Sequence, residues 1–204
     1  MKTQELLPVF ERIADKIVEG KDKLVELDAA FGDGDLGVSM AAGYAALAEY
    51  ARATDESDFG RYFQKASKVF NEAAPSSLGT ILAFVLMGVA KSLKGKENAD
   101  LADFSEALEA GKLNVMAKAE SKCGEKTMLD AFDPACAALA TAVAEGMSLE
   151  EGFAKAAEAA KTGADSTVAM QAVHGRAAYH AEKTIGHMDG GAYMVRLVFE
   201  AIAE

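Results

Sequence analysis

Tryptophan is absent from the 204-residue sequence, cysteine occurs twice, proline three times, and aromatic residues make up only 7%. The thiols, Cys123 and Cys136, are too few for a disulfide framework and lack the paired spacing of a zinc site, so they read as buried thiols of a reducing compartment. Isoleucine, threonine and valine are sparse and seldom alternate with polar residues; the twofold period of a strand is nearly missing, which argues against a sheet. Basic residues number 21 against 32 acidic ones, and the net charge of −11 opposes binding to duplex nucleic acid or to an anionic membrane surface. The longest apolar run, Ile81 to Ala90, is about half the length needed to cross a bilayer. Glu5, Glu11, Arg12, Asp15 and Lys16 interrupt the apolar residues of the first segment, which therefore holds no signal-peptide core. These absences predict a cytoplasmic protein with neither a membrane nor a nucleic-acid partner.

What is present is alanine and helical periodicity. Half of the residues are hydrophobic and 26% are charged, a balance that supports one packed domain over residues 1–204. Ser148 with Glu151 forms a capping box for a helix from Leu149 to Lys161 whose Phe153, Ala156, Ala157 and Ala160 share a face, and Gly163 is expected to stop it. Asp58 caps a helix bearing Phe59, Phe63, Ala66 and Phe70; Asp103 with Glu106 caps another. Further helices are predicted near 3–19, 37–53, 77–93, 134–145, 168–184 and 190–203. Short connections and the lack of a fixed repeat point to one all-α bundle or ring, whose ligand site would lie at helix ends or in the central space. Three loops then matter most: Leu27–Gly37, Ala119–Asp130 and Gly186–Ala192.

The first loop sets Asp28, Asp33 and Asp35 among Gly32, Gly34 and Gly37. Three carboxylates so close repel one another unless a cation lies between them, and an all-oxygen set suits magnesium or calcium. The other reading is a solvated acidic turn that caps the next helix. An EF-hand does not fit: counted from Asp28 the twelfth position is Ser39, counted from Asp33 it is Tyr44, and neither is the closing glutamate. The same residues match G-x-G-x-x-G, but no alternation of strands and helices supports a dinucleotide fold. No Walker A or protein-kinase signature occurs, so phosphoryl chemistry here would need another scaffold. In the second loop Gly124 and Lys126 precede an apolar helical start and could lie against a nucleotide, or form a turn with Met128 in the core. Arg176 is either a surface charge or an oxyanion ligand. The spacing of His174, His180 and His187 makes no metal or nucleophile cluster.

Taken together, Asp28 with Gly32–Gly37 and Met40, then Gly124-Glu125-Lys126-Thr127-Met128-Leu129-Asp130-Ala131, then Gly175-Arg176-Ala177, then Gly186-His187-Met188-Asp189-Gly190-Gly191-Ala192, resemble the nucleotide-binding L subunit of dihydroxyacetone kinase. The resemblance implies an antiparallel eight-helix barrel that binds ADP or ATP at one end through two magnesium ions. Asp28, Asp33 and Asp35 would be the metal ligands. Leu36, Gly37, Val38 and Ser39 would offer backbone amides of a helix N-terminus to the phosphates, and Ser76 and Ser77 hydroxyls. Met128 and Ala119 would border the base or ribose, Arg176 would contact the nucleotide, and Asp189, Gly190 and Gly191 would form a covering loop. No side chain need act as nucleophile, since phosphoryl transfer mainly demands alignment and charge neutralisation.

The resemblance also implies partners. The acceptor, dihydroxyacetone or a related small ketose or sugar, would be held by a separate K-type subunit; ADP could be recharged by a phosphotransferase-system M subunit, or ATP could exchange freely; the chain in isolation would be a homodimer. Departures mark a divergent branch: Leu36 stands where histidine is usual, Ser39 for asparagine, Gly190 for proline, Ala119 for glycine, and Ala74-Pro75-Ser76-Ser77-Leu78-Gly79-Thr80 replaces a Gly-Gly-x-Ser-Gly-Pro loop. Two rivals remain at this stage. One is the nucleotide module of fatty acid kinase, disfavoured by the Gly-His-x-Asp loop; the other is a nucleotide-loaded subunit that reports to a transcription regulator without catalysis.

Overall fold

Amphipathic segments with strong caps become helices wherever an apolar face can be buried. In a computed structural model that describes all residues 1–204, nine α-helices form: α1 (Leu6–Glu19), α2 (Lys21–Ala29), α3 (Leu36–Ala53), α4 (Phe59–Ala73), α5 (Ser77–Ser92), α6 (Leu101–Ala119), α7 (Leu129–Ala144), α8 (Leu149–Ser166) and α9 (Gly190–Ala203). No strand is present. None of the helices is long and apolar enough to cross a membrane. Helices α1, α3, α4, α5, α6, α7, α8 and α9 pack each on the next, and α9 returns to α1, so eight helices close a ring; the short α2 leans on α3 and α9. The all-α antiparallel barrel is therefore the fold, with α2 as a ninth helix inserted between the first two staves.

Local signals explain most boundaries. Asp58 accepts from the Arg61 amide at 2.8 Å, and Ser148 and Glu151 close their reciprocal box. Of the two thiols expected to be buried only Cys136 is, and Cys123 is exposed. Three expectations about the helices also need correction. The cap of α6 is Asp100, boxed with Asp103, and not Asp103 with Glu106. Gly163 does not end α8: a Cβ there would lie 2.2 Å from the Asp130 carbonyl, so the glycine lets α8 press onto α7 and the helix runs on to Ser166. The predicted helix at 168–184 is not α-helical. Short 3-10 turns at Thr167–Ala169 and Arg176–Thr184 are separated by extended chain, and Ala181 adopts φ +48°.

The ring encloses a cluster of 46 buried apolar residues. Fully buried Tyr62, Phe59, Phe70, Met40, Leu47 and Met194 fill much of it. A cavity of about 590 Å³ remains inside, lined almost wholly by apolar side chains and rimmed by Arg12, Glu150 and Glu204 at one end. At that end the chain is tied by the Met1 ammonium on the Ala99 carbonyl at 2.9 Å and the Phe59 amide on the Lys96 carbonyl at 2.8 Å. Alternation of direction around the ring sends the connections 30–35, 74–76, 120–128 and 167–189 to the opposite end.

Candidate functional site

At that opposite end the N-termini of α3, α5, α7 and α9 converge, each exposing amides that lack intrahelical partners. A polar cleft of about 840 Å³ lies among them. Its most acidic wall is the turn between α2 and α3. Asp28 sits on the last turn of α2, where the Gly32 amide donates to its carbonyl at 2.6 Å, and its carboxylate lies 3.4 Å from the Leu36 amide. A Cβ at position 32 would fall 2.3 Å from the Asp28 carboxylate, and Gly34 holds φ +76°, so the glycines are what allow the turn to bring three acids together. Carboxylate oxygens of Asp28, Asp33 and Asp35 come within 4.8 Å of one another.

The electrostatics of this turn call for a cation. Burial and the neighbouring Asp33 and Asp28 charges push the Asp35 carboxyl up, whereas a hydrogen bond from Arg176 holds Asp33 below its ordinary value. The Arg176 guanidinium pairs with Asp33 directly. Three hard oxygens on one concave turn, at a spacing that one coordination sphere or two adjoining ones can span, fit magnesium; each ion would complete its shell with water or phosphate.

Of the residues expected to hold nucleotide or metal, Asp28, Asp33, Asp35, Leu36, Ser76, Ser77, Met128, Arg176, Asp189, Gly190 and Gly191 all line this cleft. Ser39 joins them through a 2.9 Å hydrogen bond from its hydroxyl to that of Ser76, which also caps α5 by accepting from the Gly79 amide. Gly37 and Val38 continue the first turn of α3 without lining the cleft, and Ala119, the last residue of α6, lies away from it. Met128 is only 4% exposed and borders both the cleft and the apolar cavity, so it is a partition as much as a contact.

Asp189, Gly190 and Gly191 do not form a free covering loop. Asp189 caps α9, accepting from the Ala192 amide at 2.7 Å, and the two glycines are its first turn. Its carboxyl is packed among protein atoms, and burial raises it to about 6. A Cβ on Gly190 would stand 2.7 Å from Leu36 Cδ2, so the departures at positions 36 and 190 touch each other. The covering element is instead the strap between α8 and α9, where Phe31 of the acidic turn meets the rings of His180 and His187, with centroids 5.2 and 5.0 Å away. His174 bonds Glu125 at 2.6 Å.

Sequence reasoning missed Phe31, Asn71, Thr80 and His174 as lining residues. Only Phe31 carried a signal, an aromatic ring inside an acidic glycine turn. Lys126 lines the cleft, but it is 5% exposed and its ammonium donates to the carbonyls of Thr167, at 2.6 Å, and His187.

The chain is 29% identical over 190 residues to the ADP-binding subunit DhaL of PEP-dependent dihydroxyacetone kinase 1 from Listeria innocua, covering 93% of this chain and 90% of that protein. It is 31% identical over 192 residues to the ADP-binding subunit DhaL of the PTS-dependent dihydroxyacetone kinase from Lactococcus lactis, covering 93% and 91%. L-erythrulose kinase of Pectobacterium atrosepticum is 31% identical over 191 residues, but this chain spans only 32% of its length. The dihydroxyacetone kinase of C. freundii superposes with a TM-score of 0.76 at 24% identity over 97% of this chain and 34% of that one. The same enzyme crystallised with AMP-PNP and Mg2+ superposes with a TM-score of 0.75. A model of the DAK2 domain matches residues 30–204, and the chain belongs to that family.

Proposed function

We propose that the protein is the nucleotide-holding subunit of a dihydroxyacetone kinase-like phosphotransferase, which donates the terminal phosphoryl group of an adenine nucleotide to dihydroxyacetone or a related small ketose. The observation that carries this reading is the meeting of Asp28, Asp33 and Asp35 with the amide-rich N-termini of α3 and α5 in one cleft. Carboxylates alone would repel a polyphosphate and helix N-termini alone would hold a bare anion; both in one cleft suit a metal–polyphosphate pair. Bound magnesium would neutralise phosphate charge and polarise the transferring group.

The remaining work falls to the chain itself. The Leu36 amide at the N-terminus of α3 orients one side of the phosphate chain, and the Ser39–Ser76 hydroxyl pair and Ser77 the other, the Ser39 amide being already bonded to the Asp35 carbonyl at 2.9 Å. Arg176, which pairs with Asp33 and lines the cleft, would meet phosphate oxygens there. Asp189, Gly190 and Gly191 form the cleft wall opposite, and Met128 supplies an apolar edge for the base. The strap excludes water, which protects the phosphoryl group from hydrolysis. None of the cleft's side chains is arranged as a nucleophile with its base, so the acceptor hydroxyl itself attacks and alignment provides the rate.

The acceptor is held by a separate K-type subunit that docks on the cleft end, and the pair works in the cytoplasm. Exposed Tyr179, 90% accessible, with Val173 and Ile185 on the same strap, offers apolar contacts for that partner. Donor chemistry follows one of two courses: free exchange of ATP, or a retained ADP recharged by a phosphotransferase-system M subunit. The test is transfer of labelled phosphate to dihydroxyacetone and erythrulose in the presence of a K-type subunit, with either ATP or the phosphorylated M subunit as donor. Product with one donor supports the reading and selects the course; no product with any K-type partner, despite nucleotide binding, refutes it.

A further inference from the structure

The connection from Thr167 to Asp189 is far longer than the few residues that usually join neighbouring helices, and it contains no α-helix, only 3-10 turns. Such a segment lies in one place only if something outside it supplies the ties. Its two ends are drawn together by the Gly186 amide on the Val168 carbonyl at 2.8 Å and the Asp189 amide on the Thr167 hydroxyl at 3.0 Å. Between those ends sits the Lys126 ammonium, which donates to Thr167 on the α8 side and to His187 on the α9 side. One cation on the 120–128 connection thus ties together both ends of the 167–189 connection.

Lysine suits this place physically. An ammonium has three donors and no acceptor, so it can bind several carbonyls at once. The Thr167 carbonyl lies just beyond the C-terminus of α8, the negative end of that helix. Lys126 makes no ion pair, and burial lowers its affinity for the proton while the nearby Asp189 and Asp130 charges oppose that shift. Its backbone is held at φ +59°, an uncommon conformation for a side chain of this size, which aims the stem inward. Glu125, its neighbour, holds the middle of the strap through His174 and through the Val173 amide on its carbonyl at 3.4 Å. The strap in turn carries Arg176 onto Asp33 and His180 onto Phe31.

We propose that Lys126 is a positioning residue that latches the 167–189 strap over the nucleotide cleft, so that ligand leaves only when its hydrogen bonds to Thr167 and His187 open. The part of this statement that concerns ligand rests on the proposed function; the latch itself does not. Hydrogen exchange of the free protein tests the latch. Lys126→Met is expected to speed exchange of amides 170–187 by at least about tenfold, the worth of one charge-assisted hydrogen bond. Helices α3 to α7 should keep their protection, and Lys126→Arg should recover much of the loss. Release of magnesium-ADP, followed by stopped flow, should accelerate by a similar factor in Lys126→Met and recover in Lys126→Arg.

A second measurement needs no variant: acylation of Lys126 in the wild-type protein should rise and fall in proportion to the strap opening that exchange reads, and magnesium-ADP should slow both. Unchanged strap exchange in a folded Lys126→Met protein, or acylation that proceeds independently of strap opening, overturns the latch. Failure of the wild-type protein to bind magnesium-ADP refutes the proposed function instead and leaves the exchange comparison as the judge of the latch.

Discussion

The two ends of the barrel follow opposite rules. At the end that carries the first residue, connections are closed by ordinary caps: Asp58, the Asp100–Asp103 box and the Ser148–Glu151 box. The cleft end has caps as well, Ser76 on α5 and Asp189 on α9, but there lie all three non-glycine residues with positive φ, Glu120, Lys126 and Ala181, together with like charges forced within 4.8 Å and a lysine buried without an acid partner. Strain and unbalanced charge persist only where surrounding structure over-determines them, and they concentrate where ligand binds. The capped end therefore serves stability, and the cleft end gives up stability for recognition.

Substitutions should separate these roles. Leu93→Ala, at a fully buried position beside the capped end, should cost about 2–5 kcal/mol in denaturant unfolding while leaving nucleotide affinity unchanged. Asp33→Asn should do the reverse: calorimetry should show magnesium-ADP affinity reduced on the order of 100-fold, with helical circular dichroism retained. Equal losses of stability and affinity in either variant would break the division between the ends.

A third expectation concerns pH. The Asp189 carboxyl is raised from 3.8 to about 6, so the folded protein binds its proton more tightly than the unfolded chain does. That contribution to stability is complete below pH 3.8, declines as pH rises and is gone once pH passes about 6. Asp189→Asn keeps the cap on α9 but does not titrate. The stability of the wild type relative to this variant should therefore fall between about pH 4 and 6, as read from denaturation midpoints; a flat difference would mean that burial does not control the group.

The smallest expected effect tests the contact between Leu36 and Gly190. Proline suits the first position of a helix, but its ring carbons would meet Leu36 Cδ2. Gly190→Pro alone should destabilise, and Leu36→His should relieve part of the cost. A double-mutant cycle should return a coupling of about 0.5–3 kcal/mol; additivity would make the two departures independent.

Much of the capped half was legible because caps and apolar faces are local signals. Asp58 and Ser148 act as their neighbours dictate, and the α6 boundary moved only because two aspartates three apart offer two capping frames. Helix α2 escaped notice since it follows α1 after Gly20 alone, without a side-chain cap or a clear apolar stripe. Gly163 misled because its role is close approach to α7 rather than termination. The strap misled for a deeper reason: its alanines favour helix, but its path is set by Glu125 and Lys126, more than forty residues earlier in the chain. The acidic turn, by contrast, announced itself, because crowding of charge is written directly in the spacing of Asp28, Asp33 and Asp35. No such pattern distinguishes a lysine that binds carbonyls from one that binds phosphate.

The central claim is that the acidic turn and the helix N-termini form one site for metal and nucleotide together. Calorimetric titration of the purified protein with ADP, with and without magnesium, tests it most directly. The account predicts that magnesium tightens ADP binding and, by linkage, that ADP tightens magnesium binding by the same factor, with both effects abolished in Asp33→Asn. ADP binding that is indifferent to magnesium, or that survives Asp33→Asn unchanged, would contradict it.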